Sequence, residues 1–165
     1  MTAVTEFGTG RILAWKDSIP LHYEYTAGVS GEAFLRGLKD GAIVASKCTR
    51  CGEVRLPPRT YCLDCQERAR IDVEILHSGR IAALSEAQFD GAGTKLAAGS
   101  RTTFGFVTFE GVSGGLIHRI LHEGRKAAKV GDQVRALFLP PDQRKGSVVD
   151  LEGFRTAPRR PVGND

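Results

Sequence analysis

The sequence lacks any long hydrophobic run. No apolar stretch in its 165 residues approaches the ~20 residues that a membrane helix needs. The opening residues, MTAVTEFGTGRILAWKDS, lack the basic start and the apolar stretch of a secretory signal. These two absences predict a cytoplasmic protein with no membrane association, in a compartment where thiols stay reduced.

Common catalytic signatures are also absent. The chain has no G-x-S-x-G motif, no P-loop and no dinucleotide-binding fingerprint, and it shows no Ser-His-Asp grouping. His118 and His122 lie four residues apart with only Glu123 beside them, which favours barrel histidines over a metal pair. Because all four cysteines lie within residues 48–65, none remains as a nucleophile once they bind a metal. We therefore expect no covalent catalysis by this chain alone.

The excess of positive charge is small. The formal net charge is +4 and the isoelectric point is about 9.0. Residues 155–165, RTAPRRPVGND, hold three arginines and one aspartate, a net +2, and their two prolines and polar end predict a flexible tail. The remaining body carries about +2, which argues against a long nucleic-acid-binding surface.

One short helix is predicted near the N-terminus. Residues 30–41, SGEAFLRGLKDG, place Phe34 and Leu38 on one face. Ser30 is the expected N-cap, and Gly41 supplies the left-handed stop. The preceding residues 1–29 show no clear periodicity and predict an irregular arm that packs on the body or on a partner.

Short strands are predicted from residue 71 onward, and the 20 glycines of the chain agree with many turns. A turn is expected at Ser78-Gly79, and a hairpin is expected around GVSGG. Five or six strands and one long loop, QFDGAGTKLAAGS, indicate a five-stranded OB-type barrel, since a sandwich needs about seven strands. The strand segments are IDVEIL, GRIAALSEA, RTTFGFVTFE, GGLIHRIL, KVGDQVRALFL and GSVVDLEGF.

The predicted fold is therefore mainly β, with a separate ribbon segment in front of the barrel. AIVAS at residues 42–46 reads as a strand that leads into the cysteine segment. The predicted parts are an N-terminal arm and helix over 1–41, the ribbon over 42–70, the barrel over 71–154 and the tail over 155–165.

The strongest motif is C-x2-C-x10-C-x2-C, formed by Cys48, Cys51, Cys62 and Cys65. Each C-x2-C pair can turn two sulfurs toward one point, and two such turns close a tetrahedron around zinc. Four thiolates leave no open position, so we interpret the zinc as structural and the segment as a rubredoxin-like zinc ribbon. Disulfides conflict with a reducing compartment. Iron accepts the same ligand set, so a rubredoxin-like electron carrier stays open.

Cations surround this motif in the sequence. A divalent ion with four thiolates carries a formal −2, which these cations can balance; alternatively, they only keep the ribbon soluble. The cations are Lys47, Arg50, Arg55 and Arg59.

The order of parts resembles the zinc-ribbon/OB-fold family of acyl-CoA-associated proteins. The resemblance covers roughly residues 22–154 and runs through the helix GEAFLRGLKDG, the ribbon SKCTRCGEVRLPPRTYCLDC and the barrel segments TTFGFVTFEG and KVGDQVRALF. It implies a small, non-catalytic subunit of a thiolase-type hetero-oligomer, whose partner chain carries the catalytic residues. HYEYTAG is similar to a bacterial branch that pairs with catabolic thiolases, with benzoylsuccinyl-CoA thiolase as one candidate.

The resemblance also implies acyl-CoA as a ligand shared with the partner. The basic residues that we predict to contact the coenzyme A phosphates are Arg101, Arg119, Arg125, Lys126 and Lys129. The alternative function is a zinc-ribbon/OB protein that binds single-stranded nucleic acid. Phe104 and Phe106 share a strand face in that hypothesis and would stack bases, while Phe109 points the other way with Val107.

Overall fold

The computed structural model describes residues 22, 24–75, 77–121 and 127–157. Within them the fold is mainly β, with one α-helix, α1 (Gly28–Asp40), and a closed five-stranded barrel, which confirms the predicted fold class. The strands are β1 (Ile43–Cys48), β2 (Val54–Leu56), β3 (Ala69–Ile75), β4 (Ser78–Glu86), β5 (Thr103–Thr108), β6 (Ser113–Gly114), β7 (Leu116–Leu121), β8 (Gln133–Phe138) and β9 (Leu151–Thr156).

Helix α1 forms where it was predicted, but it begins two residues earlier. Leu38 is buried in the core, and Gly41, at φ 83°, ends the helix with its N–H 3.1 Å from the Leu38 carbonyl. The predicted N-cap was wrong, because Ser30 lies inside the first turn. Its hydroxyl contacts the Thr60 hydroxyl at 2.7 Å, so a tertiary contact to the ribbon replaces the cap.

The smaller sheet has the strand order β3-β1-β2-β6. Strand β1 pairs antiparallel with both β2 and β3, and β6 adds in parallel to β2. We expected β3 in the barrel, and that assignment was wrong. Ile43 and Ile75 lie opposite each other in the register of β1 and β3, and both are buried, so the apolar face of β3 completes the ribbon sheet.

The barrel has the strand order β4-β5-β7-β9-β8, and β4 closes it by pairing with both β5 and β8. The predicted hairpin is confirmed as β5 and β7. The predicted turn at Ser78-Gly79 was wrong, since both residues pair with β8. Glycine is needed there for close packing, because a Cβ atom at Gly79 would lie 2.7 Å from the Thr108 carbonyl.

One hydrophobic core joins the three parts. It contains Leu38 of the helix, Ile43 and Leu56 of the small sheet, and Ile81 and Phe154 of the barrel. The ribbon therefore stabilises the barrel as well as itself. Among the described residues, no helix combines the length and the apolar character that a membrane-spanning segment requires.

The predicted last strand, GSVVDLEGF, is a strand only from Leu151 onward. Residues Val148–Asp150 form a short 3-10 helix instead. The cause is Asp150, whose buried carboxylate accepts hydrogen bonds from the backbone N–H groups of Lys145, Gly146 and Ser147 at 2.7 to 3.0 Å. These bonds curl the chain around the carboxylate before β9 begins.

We expect Asp150→Asn to lower the unfolding temperature by roughly 5–10 °C, because an amide cannot accept all these bonds. Burial raises the pKa of Asp150, but the backbone donors lower it more, so the net pKa lies below its ordinary value. A lowered folded-state pKa adds stability that is present above the unfolded pKa of about 3.9 and is lost as the pH falls through the folded pKa. The original chain should therefore lose more stability on acidification than Asp150→Asn.

Thermal melts between neutral and acidic pH measure both effects. Asp142→Asn is the matched control, because Asp142 is exposed in the neighbouring 3-10 turn. Equal dependence of the melting temperature on pH in the original chain and in Asp150→Asn would contradict the assignment.

Candidate functional site

Two tight turns bring the four cysteines together. Cys48 ends β1 and Cys51 follows in the first turn, while Cys62 and Cys65 belong to the second; we call these turns the first and second knuckles. All four sulfurs lie within 4.8 Å of one another. The Sγ–Sγ distances are 3.3 Å for Cys48–Cys65, 3.7 Å for Cys51–Cys62 and 3.9 Å for Cys51–Cys65. A zinc ion with four Zn–S bonds of about 2.3 Å needs edges of about 3.8 Å, so the cysteines fit zinc.

The backbone of the first knuckle supports a thiolate. The N–H groups of Cys51 and Arg50 both lie 3.4 Å from Cys48 Sγ, and with the neighbouring thiols they lower the pKa of Cys48 to about 6. The N–H group of Glu67 lowers the pKa of Cys65, but the other thiols outweigh it and raise that pKa to about 12. A divalent cation among the sulfurs removes this repulsion and lets all four thiols ionise.

Two carboxylates that the sequence analysis missed lie beside the cluster. Glu53 Oε2 and Asp64 Oδ2 are each 3.9 Å from Cys62 Sγ. Arg55 forms ion pairs with both of them, at 2.6 Å from Glu53 and 3.5 Å from Asp64. Its positive charge therefore offsets the two carboxylates that lie next to Cys62. The sequence did carry a signal, because each carboxylate lies two residues after a cysteine.

The metal has no open coordination position when all four thiolates bind it. Within the described ranges, the other group of three or more potential ligands is Glu53, Cys62 and Asp64, and it shares Cys62 with the cluster. Lys47 and Arg50 line a cleft beside the first knuckle. The arrangement can hold a metal and brace the ribbon, but it presents no site for a metal-bound water.

The outer face of the barrel carries exposed apolar side chains on β5 and β7. Phe106 lies opposite Ile117 and Phe104 lies opposite Arg119 in the register of the two strands. Ile117 is 74% exposed and Phe104 38%, while Val107 on the inner face is fully buried. The predicted alternation along β5 is confirmed. This face belongs to the second and third barrel strands, which bind ligands in many OB-folds.

The structure brings two of the predicted phosphate contacts to the same end of the barrel. Arg119 is the cross-strand neighbour of Phe104, and its guanidinium donates to the Glu152 carbonyl at 3.0 Å. Arg101 lies 3.6 Å from Glu86 at the adjoining end of β4. Arg119 therefore borders the exposed Phe104, whereas Glu86, the partner of Arg101, lies opposite Thr103, on the other face of β5 from Phe104. Each of the two arginines already has a protein partner.

Lys129 lies apart from these two arginines. Its turn hydrogen-bonds through Gly131 and Asp132 to Ile81, near the opposite end of β4 from Glu86. Several predicted residues lie outside the described residues, and these are His122, Arg125, Lys126 and most of the arm and the tail.

His118 is a packed barrel histidine, as expected. Its Nε2 lies 3.3 Å from the Val148 carbonyl, and its ring meets Phe154 edge to face at 6.4 Å. Burial lowers the pKa of His118, so the ring is neutral at physiological pH. With these contacts, the side chain supports the barrel wall.

A broad cleft of about 900 Å³ separates the small sheet from the barrel. Its lining includes buried Ile75, Phe109 and Val134, with exposed Glu74 and Arg135. The cleft contains neither a cysteine nor a histidine. It supplies a groove without a reactive group.

The ribbon matches a known family model. Residues 36–69 match the ChsH2, rubredoxin-like zinc ribbon domain, and this range contains all four cysteines. No curated protein matches the chain.

Two solved structures are similar over most of the chain. A DUF35-family protein of unknown function from Sulfolobus solfataricus is 30% identical, with a TM-score of 0.59 over 81% of this chain and 87% of that protein. A chain of the Ltp2-ChsH2(DUF35) aldolase is 18% identical, with a TM-score of 0.55 over 74% of this chain and 91% of that chain. The second similarity shows a shared fold.

Proposed function

Because this chain belongs to the DUF35 family, we propose that it is a non-catalytic accessory subunit of a thiolase-type acyl-CoA complex. The observation that carries the proposal is the ligand set of the metal. Cys48, Cys51, Cys62 and Cys65 saturate a structural zinc and use every thiol of the chain. The catalytic groups then belong to a partner, and this chain contributes structure and binding.

A hetero-oligomer is supported by the second structural neighbour. The Ltp2-ChsH2(DUF35) aldolase combines a DUF35 chain with Ltp2. For the present chain, a thiolase-like partner follows from the resemblance noted in its sequence, in the helix, the ribbon and the barrel strands. Reduced thiols on the metal agree with assembly in the cytoplasm.

The barrel face is the part that we assign to acyl-CoA. Phe104 and Phe106 offer flat apolar surface, Arg119 lies opposite Phe104, and Arg101 lies at the same end of the barrel. An adenine ring can stack on an aromatic side chain, and guanidinium groups suit phosphate oxygens. In this proposal the face covers the coenzyme while the partner performs the reaction, so the ligand is shared by the two chains.

Single-stranded nucleic acid is the competing ligand for the same face. Base stacking on Phe104 and Phe106 would serve it equally well. A strand, however, also needs a cationic track along its phosphates. The described face offers Arg119, and Arg101 lies at the same end of the barrel with Glu86 as its partner. This limited charge favours a single coenzyme over a polynucleotide.

The proposal predicts that activity requires a second chain. We expect the purified chain alone to show no thiolysis of acetoacetyl-CoA, since all four cysteines of its sequence belong to the metal site. Co-production with a thiolase-type protein from the same genome should yield a complex that elutes together and is active. Enzyme assays and size-exclusion chromatography of the single and paired chains measure this.

The control is the thiolase-type chain produced alone, which should be inactive or strongly impaired. Turnover by the small chain by itself would refute the accessory role. A thiolase chain with full activity and no association would refute the partnership.

A further inference from the structure

The four cysteines of the metal cluster differ in their access to solvent. Cys48 and Cys62 are buried, with 4% and 6% of their surface exposed, and Cys65 is partly buried. Cys51, in the first knuckle, is exposed. A reagent that approaches the cluster from solvent therefore meets Cys51 before the other three.

An open cleft of about 430 Å³ runs along the first knuckle and is lined in part by Cys51. Its described lining contains three cations and no carboxylate, and the cations are Lys47, Arg50 and Arg70. Lys47 and Arg70 lie opposite each other in the register of β1 and β3. Because Arg70 pairs with Asp72 at 3.2 Å, the excess positive charge at the cleft comes from Lys47 and Arg50.

Cys62 has acidic neighbours instead. Glu53 Oε2 and Asp64 Oδ2 are each 3.9 Å from Cys62 Sγ, and the single charge of Arg55 offsets only part of their negative charge. An anionic reagent is therefore repelled at Cys62 and attracted at Cys51. Exposure and charge select the same sulfur.

We propose that Cys51 is the site at which the metal-bound cluster reacts with oxidants and other electrophiles. A thiolate is both a metal ligand and a nucleophile. With hydrogen peroxide as the oxidant, Cys51 Sγ attacks one oxygen, the O–O bond breaks and hydroxide leaves. The sulfur is thereby oxidised to a sulfenic acid, and the peroxide is reduced.

A second thiolate of the cluster completes the reaction. The sulfurs of Cys62 and Cys65 lie 3.7 Å and 3.9 Å from Cys51 Sγ. When either of them attacks the sulfenic sulfur, an S–S bond forms and a second hydroxide leaves. The disulfide removes two of the four ligands, so zinc leaves the ribbon. The reaction requires the metal-loaded ribbon, but neither a partner chain nor coenzyme A.

Identifying the first cysteine that reacts in the metal-loaded full chain tests the proposal. A limiting amount of the dianionic disulfide dithiobis(nitrobenzoate) should form its first adduct on Cys51, which peptide mass spectrometry locates. Hydrogen peroxide should release about one zinc ion, read with a metal indicator, for each disulfide formed. That disulfide should contain Cys51. A first adduct on Cys65, equal modification of all four cysteines, or a disulfide formed without zinc release would overturn the proposal.

A charge variant tests the role of the cleft. Arg50→Gln should slow the reaction with the dianionic disulfide roughly threefold or more at low ionic strength. It should leave the rate with neutral dithiodipyridine and the zinc content unchanged. Arg59→Gln is the matched control, because Arg59 is an exposed arginine of the same ribbon that does not line the cleft, and it should change neither rate. Equal slowing with both reagents, or no slowing with either, would contradict the assignment of the cleft.

Discussion

Replacing Cys62 with serine is expected to reduce the zinc content from about one ion per chain to almost none and to unfold the ribbon. Zinc binding contributes about 10–16 kcal/mol in isolated zinc-finger peptides, which exceeds the net stability of most domains. The two knuckles have little apolar core to replace it, since Tyr61 and Leu63 are exposed. Because Leu56, between the knuckles, lies in the common core, we expect the barrel to lose stability too.

Metal analysis and circular-dichroism melts measure the two effects. Thr60→Ser is the matched control, because it keeps the hydroxyl that meets Ser30 and leaves all four thiols in place. Zinc and no iron should be found in the original chain, which should be colourless. A metal-free preparation with an unchanged melting temperature would show that the cluster does not stabilise the fold.

Gly114→Ala is expected to cost about 3 kcal/mol or more of unfolding free energy. Gly114 has φ 89°, and a Cβ atom there would lie 2.1 Å from the Leu56 carbonyl oxygen. Leu56 is buried and its oxygen also accepts the N–H of Gly115 at 3.1 Å, so the backbone cannot move aside without breaking the β2–β6 pair. That pair joins the barrel hairpin to the ribbon sheet.

Gly111→Ala is the matched control for this experiment. Gly111 lies in the same turn region and has φ 70°, but nothing lies within 4 Å of a Cβ atom there. It should cost only the left-handed strain of about 1–2 kcal/mol. Urea unfolding of both variants, at equal zinc content, separates the cost of backbone strain at positive φ from the cost of the steric clash with Leu56. Equal losses of unfolding free energy in the two variants would show that the backbone around Leu56 shifts to relieve the clash.

Local sequence patterns were sufficient to predict the parts of the site that are formed by residues close together in the chain. The two C-x2-C pairs predicted the metal ligands, because each pair closes within one turn and the spacing sets the direction of the sulfurs. Phe104, Phe106 and Val107 were assigned to their faces because a strand alternates with period two. The contacts of Glu53 and Asp64 with Cys62 depend on how the knuckles fold onto each other.

The same distinction explains the errors. Ser30 has the chemistry of a cap, yet Thr60, thirty residues away, binds its hydroxyl. Gly79 has the chemistry of a turn, yet the approach of Thr108 requires a residue without a Cβ atom. Propensity describes what a residue favours alone, and a distant partner can outweigh it by a few kcal/mol.

The sequence by itself determined the two cysteine pairs of the cluster, the strand-rich character and the helix stop at Gly41, since each depends on side chains and dihedral angles a few residues apart. Only the tertiary structure decided that β3 joins the ribbon and that β6 bridges to β2. Such features depend on which strands pair with each other. The alternation of polar and apolar residues identifies a strand, but it does not select the strand's partner. The choice among them is made by burial in one shared core, which no local window of the sequence contains.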